Sequence, residues 1–439
     1  MSEAAIAAQR PPVLRALAAL IALGVLFYSS YGLSNWLASL RDHVPSIVFG
    51  WERAVPFVAW TIIPYWTTNL FYAASLFLCK SAHELSVHVR RLIFVQLIAV
   101  ACFVAFPLRF SWPKPPTTGL SGRLFEELAG FDMPFNQAPS LHVALTVILA
   151  DFYIRRLPRW LRVPFLGWSL LVVISTMTTY QHHFIDLPTG ALLGYLIVWA
   201  LPYEGLSPLA HAQATTQPDR RKLGLRYAAG AALSVLLAAL GGGWLWFLWP
   251  AVSLALVALA YLFIGPAVFA KSDDGRIGSA ARILLAPYLV GAWINSRLWT
   301  WRDPDPIEVA PGLWLGRFPS RARMQGARRV VDLSAEMSRP YWAGATRWQS
   351  FPCLDLVAPD PRVLARAARE IGPADPANPV MVCCALGYGR SAATLATWMV
   401  VNGTTDNVDD GIARLRSIRP KLAISTSQLL AIKAASGRG

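Results

Sequence analysis

Apolar residues gather into long blocks over the first 269 positions, and short basic turns separate the blocks. A helix needs roughly 20 apolar residues to cross the hydrocarbon core of a bilayer. About eight blocks approach that length. They lie at 17–36, 55–79, 92–108, 142–154, 163–178, 184–201, 227–241 and 244–269. The first has the look of a signal peptide, but no small-residue cleavage site follows Phe27-Tyr28-Ser29-Ser30, so a retained helix is expected. Beyond 269 the pattern changes. Lys271-Ser272-Asp273-Asp274-Gly275 is polar, and 280–301 reads as an amphipathic, Trp-bearing helix lying along the interface.

From Arg302 onward no window is apolar enough to span. Arg329-Val330-Val331-Asp332-Leu333 and Pro379-Val380-Met381-Val382-Cys383 read as buried strands, and 362–371, 391–401 and 409–418 as helices. Alternating strands and helices predict an α/β layer fold. The expected organisation is therefore a six-helix membrane domain at 1–205, two further helices and an interfacial linker at 206–301, and one α/β domain at 302–439.

Composition narrows the class. Hydrophobic residues make up 55% of the chain and charged ones 15%, with 18 Trp. Soluble domains carry roughly 25% charge, so an ordinary soluble enzyme is excluded. Five Cys and the apolar content exclude a disulfide scaffold and a disordered chain. Lys and Arg number 40 against 25 Asp and Glu, and those of the first 269 positions gather mainly in alternate loops. Arg10 and Arg15 precede the first block. Lys80, Arg90 and Arg91, then Arg155, Arg156, Arg159 and Arg162, then Arg220, Arg221, Lys222 and Arg226 mark the later inside loops. The intervening 178–183 and 241–243 turns carry no Lys or Arg. The positive-inside bias then predicts a C-terminal domain in the cytoplasm, and the membrane is taken to be a bacterial inner membrane by assumption. The surplus faces anionic lipid, and no nucleic acid is expected as a partner.

Cys384-Ala385-Leu386-Gly387-Tyr388-Gly389-Arg390-Ser391 joins a predicted strand to a predicted helix. Gly387 and Gly389 let backbone N–H groups turn inward as an anion nest at the helix N-terminus. Arg390 offers a bidentate fork to phosphate. The same positive surroundings favour a Cys384 thiolate able to attack phosphorus. Ser391 is placed to donate to that sulfur.

Cys, five residues, Arg and Ser resemble the dual-specificity branch of the protein tyrosine phosphatases. The likeness extends to Val309-Ala310-Pro311-Gly312-Leu313-Trp314-Leu315-Gly316, similar to the family's opening hairpin, and to Val330-Val331-Asp332-Leu333-Ser334-Ala335-Glu336, similar to its next strand. The resemblance implies a cysteine-phosphatase fold for the α/β domain and a loop aspartate as proton donor. Asp355 is the position that fits, with Asp360 second. Cys383 stands where that family usually has His.

Three of the seven His cluster in two membrane segments. Pro139-Ser140-Leu141-His142 opens one block, and His182, His183 and Asp186 open another. Two crossings separate them, so His142 and His182 are predicted at the same outer face. The four-residue step from His182 to Asp186 lets the carboxylate orient the imidazole. A His so oriented can attack phosphorus while a second His protonates the departing group. His43, His83, His88, His211, Glu126 and Glu127 are expected to be structural or solvated. His182 and His183 with one nearby carboxylate make a metal improbable, and no cofactor is expected.

These segments resemble the type 2 phosphatidic acid phosphatases. Leu141 replaces the usual Gly, and Thr176 replaces the Arg that usually follows Ser175. The resemblance implies His182 as nucleophile, Asp186 as its partner, His142 as acid, and Ser140, Arg109 and Lys114 as phosphate holders. The Leu variant and the His182-to-Asp186 run also resemble lipid phosphotransferases. The expected substrates are phospholipids or phosphorylated head groups. Two alternatives stand: a head-group phosphotransferase coupled to a phosphatase, and a membrane-anchored phosphoprotein phosphatase with a degenerate outer site.

Overall fold

The computed structural model describes residues 13–210, 212–344 and 346–437. Arg10 and His211 lie outside the described residues. The chain divides into two compact units, one of residues up to Ser207 with Ala239–Leu245, the other of Pro208–Ala238 with Trp246–Gly439.

The first unit is helical. Its helices are α1 (Val13–Ser39), α2 (Ile62–Phe77), α3 (Ala82–Ala105), α4 (Gly119–Ala129), α5 (Leu141–Ile154), α6 (Arg159–Thr178) and α7 (Asp186–Ala200). Across the described residues four stretches are long and apolar enough to cross a membrane: α1, α3, α6 and the composite Gly242–Phe269. The helices α5 and α7 are apolar but shorter. The block expected at 55–79 is regular only over α2, preceded by two 3-10 turns at Gly50–Ala54 and Ala59–Thr61. Pro56, with no N–H to donate, interrupts any earlier helical start.

Close approach of α5 and α7 positions His142 and His182. A Cβ on Gly190 would lie 2.4 Å from the Ser140 carbonyl oxygen, and one on Gly194 would lie 2.7 Å from that of Ala144. Two glycines four residues apart thus open a groove for the facing backbone, as small residues do between membrane helices. The Ser140 N–H donates to the Asp186 carbonyl at 3.0 Å, tying the two N-termini together.

The second unit contains α8 (Pro218–Ala238) and α9 (Leu248–Leu259), the latter continued by a π turn (Ala260–Ile264) and a 3-10 turn (Gly265–Phe269). Two short helices follow, α10 (Ser279–Leu284) and α11 (Ala286–Trp299). The remainder is a five-stranded sheet in the order β1-β2-β5-β3-β4. Its strands are β1 (Ile307–Ala310), β2 (Leu313–Arg317), β3 (Arg329–Ser334), β4 (Arg347–Cys353) and β5 (Val380–Cys384). Strands β1 and β2 are antiparallel; the others run parallel. The helices α12 (Pro361–Ile371), α13 (Arg390–Val401), α14 (Val408–Ile418) and α15 (Thr426–Ser436) complete the unit. Strand β5 is buried along its whole length, as expected for a central parallel strand.

The sheet separates two apolar clusters. One holds Leu315, Val331, Val382, Leu364, Leu395 and Leu415 under α12 to α15. The other holds Val330, Trp348, Met381 and Cys383, with Ala292 of α11 packed on it. The stretch expected as one interfacial helix at 280–301 is therefore two helices, broken before Pro287, and it is docked on the sheet. Two side chains fix it there. Ser296 Oγ donates to the Ala385 carbonyl at 2.5 Å, and Arg297 Nη1 donates to the Phe318 carbonyl at 3.1 Å. Lys271 is also inside. Its ammonium donates to Asp332 Oδ2 at 2.6 Å and to the Ser334 carbonyl at 2.5 Å, with both charged side chains fully buried.

Candidate active site

The loop from β5 to α13 is closed by contacts to one sulfur. The Gly387 N–H donates to Cys384 Sγ at 3.2 Å, and Ser391 Oγ lies 3.2 Å from the same atom. Gly387 has φ +77°, and a Cβ there would lie 2.6 Å from the Gly316 carbonyl carbon, so this turn requires glycine. Gly389 caps α13, and Arg390 is its first residue.

The Arg390 guanidinium is buried and heavily used. Nη1 and Nη2 donate to Glu336 Oε2 and Oε1 at 2.8 and 2.6 Å, a bidentate pair. Nη1 also donates to the Cys353 carbonyl at 2.8 Å, and Nη2 lies 3.1 Å from Asp355 Oδ1. Nε is buried without a partner. Burial opposes the charge of Glu336, yet Arg390 beside it holds that carboxyl below the usual range. Asp355 moves the other way: burial raises it and Glu336 adds to the rise, against the pull of Arg390. Two carboxyls on one guanidinium thus have opposite tendencies. Burial pushes the Cys353 thiol up to about 12, which leaves it inert. Asp360, the second candidate for the acid, caps α12 by accepting from the Arg362 N–H at 2.7 Å.

Three tyrosines of the same unit face this charge cluster. Tyr261, in the π turn, donates its hydroxyl to the Asp355 carbonyl at 3.0 Å. Its ring stacks on Tyr227 at 5.4 Å, and Tyr227 meets Tyr288 edge-on at 5.8 Å. All three are close enough to interact with the charges of Glu336 and Asp355. Glu336 and these tyrosines were not singled out from sequence. A lone carboxylate after a strand carries no local signal when its partner lies 54 residues away.

In the first unit His142 and His182 line one cavity of about 220 Å³. His182 Nδ1 lies 3.2 Å from Asp186 Oδ2, and His142 stacks on the Tyr65 ring at 3.9 Å with its Nε2 buried and unpartnered. The other walls are mainly apolar side chains of α1 and α2, with Asp132 at the polar end. Ser140 Oγ accepts from the Val143 N–H at 3.4 Å as the cap of α5. Lys114 lies close enough to Asp132 to interact with its charge. Arg109 is a correction: its side chain is exposed and forms no hydrogen bond, so the structure does not bring it to the two His. Only its backbone is anchored, through its N–H to the Pro45 carbonyl. His183 is held apart by Glu52, 3.0 Å from Nδ1, and by Ser111, 3.1 Å from Nε2. His88 is buried between Ser75 and Tyr203.

No protein-family model matches the chain, and no curated protein matches it by sequence. Solved structures similar to part of it are protein tyrosine and dual-specificity phosphatases. Tk-PTP in its active form is 19% identical, with 31% of this chain and 99% of that one covered and a TM-score of 0.27. PTPMT1 in complex with PI(5)P is 18% identical, covering 30% and 94%, with a TM-score of 0.26. Human DUSP28 is 19% identical, covering 30% and 93%, with a TM-score of 0.24. Scores of this size say nothing about the reaction the chain performs.

Proposed function

We propose that the chain is a membrane-embedded phosphomonoesterase acting through Cys384 on a phospholipid head group. The observation that carries this reading is the sulfur at the mouth of a glycine turn, with a backbone N–H and Ser391 on it and Arg390 fixed behind it. Phosphate seated there replaces Asp355 as the second partner of Arg390. Cys384 Sγ then forms a bond to phosphorus as the ester P–O bond breaks, and Asp355 gives its proton to the departing oxygen. Water attacks the phosphocysteine next, giving up a proton to Asp355. Ser391 donates to the sulfur as it leaves. Burial of Asp355 supports its role, because a carboxyl raised by its surroundings still carries a proton nearer neutral pH.

The lipid assignment is supported by Tyr261, a residue of the apolar stretch Gly242–Phe269 that bonds the backbone of the acid itself. In this reading α2, α5 and α7 complete six crossings in the first unit, and 218–269 adds two. The first unit adds a second phosphoryl-transfer site, with His182 as nucleophile and His142 as acid. The shared cavity favours an amphiphilic substrate there. Without Arg109 that site lacks a guanidinium clamp, which favours head-group transfer over monoester hydrolysis.

Full-length protein in mixed micelles tests both sites. Cys384→Ser should abolish release of phosphate from a lipid phosphomonoester, and His182→Ala should spare that release while removing any head-group exchange. Full phosphate release by Cys384→Ser would sink the first reading. Head-group conversion that survives His182→Ala would sink the second.

A further inference from the structure

A cleft of about 530 Å³ lies between α11 and the loops that leave β2 and β3. Its polar wall carries Arg297, Arg317 and Ser320. Arg317 Nη1 donates to Thr300 Oγ1 at 2.6 Å, but its Nε is buried with no partner, and so is Ser320 Oγ. Neither Arg297 nor Arg317 has a carboxylate within ion-pair distance among the described residues. The nearest acids are already committed: Asp305 to Arg323 at 2.7 Å, and Glu336, also in the lining, to Arg390. Burial and the neighbouring charges of Arg297 and Arg323 bring Arg317 down to about 10. Two crowded cations and two unused donors in one cleft await an anion.

The opposite wall is apolar. Val290 and Trp293 of α11 are 57% and 53% exposed, and Leu298, Trp299 and Trp301 continue the exposed run. An anion attached to hydrocarbon satisfies both walls. The cleft also adjoins the catalytic loop. Glu336 belongs to both, Ser296 of α11 holds the Ala385 carbonyl, and the Gly316–Arg317 backbone packs under Gly387.

We infer that this cleft is a second anion subsite, which takes the phosphodiester of a glycerophospholipid whose terminal phosphomonoester enters the Cys384 loop. The inference rests on the phosphomonoesterase reading above and narrows its substrate to lipids bearing both groups. Arg297 and Arg317 act as a specificity fork, and the apolar face of α11 receives the start of the acyl region.

The test compares kcat/KM of the full chain on three substrates: a glycerophospholipid with diester and terminal monoester, phosphatidic acid, which has no diester, and p-nitrophenyl phosphate. In Arg297→Gln and Arg317→Gln the first substrate should lose at least tenfold relative to the other two, through KM. The deacylated head group, carrying the same two phosphates, should show the same selective loss if the diester itself is read. A selective loss confined to the acylated substrate would overturn the diester assignment. Equal losses on all three substrates, or on both lipids, would overturn the subsite. A wild type that hydrolyses none of them would overturn the phosphomonoesterase reading instead. The cleft is then read without turnover, by binding of short-chain phosphatidylglycerol to Cys384→Ser. Loss of that binding in Cys384→Ser with Arg317→Gln supports the subsite, and retention overturns it.

Discussion

Replacing Lys271 by Met removes a charge from the interior while keeping an unbranched apolar stem. Lys271 and Asp332 are both fully buried, 2.6 Å apart, so the variant leaves a carboxylate without its cation. Breaking a buried pair from one side costs about 3–5 kcal/mol. Asp332 keeps three donors: the Trp348 indole at 3.1 Å, the Ser334 N–H at 2.9 Å and the Ser334 hydroxyl at 2.6 Å. Those bonds place the expected loss at the low end, about 3 kcal/mol. A unit of this size moves about 2–4 °C per kcal/mol, so the apparent Tm should fall by roughly 6–12 °C. Thermal unfolding in detergent at one scan rate, followed with a fluorogenic maleimide, reads this directly. Cys353, Cys383 and Cys384 are buried in the second unit, and Cys383 pairs in register with Asp332. Lys271→Met combined with Asp332→Asn should recover more than half of the loss, because no uncompensated charge remains. A shift under 2 °C, or a double variant no better than the single one, would refute the reasoning.

Asp355→Asn should lower turnover of an alkyl phosphomonoester by about 10²–10⁴-fold, the usual contribution of a general acid. The wild-type rate should fall on the alkaline side as Asp355 loses its proton, at a pH above the ordinary carboxylate range because burial raises it. That limb should vanish in the variant; an unchanged pH profile would rule the acid out. Gly190→Val should separate α5 from α7, since the added carbon would lie 2.4 Å from a backbone oxygen. Loss of the His182-dependent activity and a lowered Tm are expected, while Gly167→Ala, with open space at its Cβ, serves as the neutral comparison. Glu336→Gln should cost about 1.5–3 kcal/mol in kcat/KM, or roughly 10- to 150-fold, because a charge-assisted bidentate pair to Arg390 is lost. Full activity in that variant would show that Arg390 needs no anchor.

The loop between β5 and α13 was legible because its residues are adjacent in the sequence. Cys384, Gly387, Arg390 and Ser391 lie within eight consecutive positions, and a buried strand and a helix bracket them. The expected strands and helices of the α/β domain agree with the structure to within a residue or two, apart from β4 and α15. The edge strand β4 alternates only loosely between inside and outside, so its periodicity is weak. Long-range partners were not legible. Glu336 is defined by Arg390, and Lys271, read as part of a polar boundary, is buried because Asp332 and Ser334 receive it. Arg109 illustrates the converse. A basic residue at a plausible position gives no indication of whether its side chain turns toward the imidazoles or away from them.

Tyr261 binds the backbone of Asp355, Ser296 holds the loop that follows Cys384, and Lys271 fills the sheet. All three precede Arg302, where hydropathy alone would place the cut for expressing a water-soluble catalytic fragment. Such a fragment would uncover the Met381–Cys383 side of its own sheet and free the segment that carries Asp355. Its instability or insolubility would therefore be a product of the truncation and no measure of the intact chain.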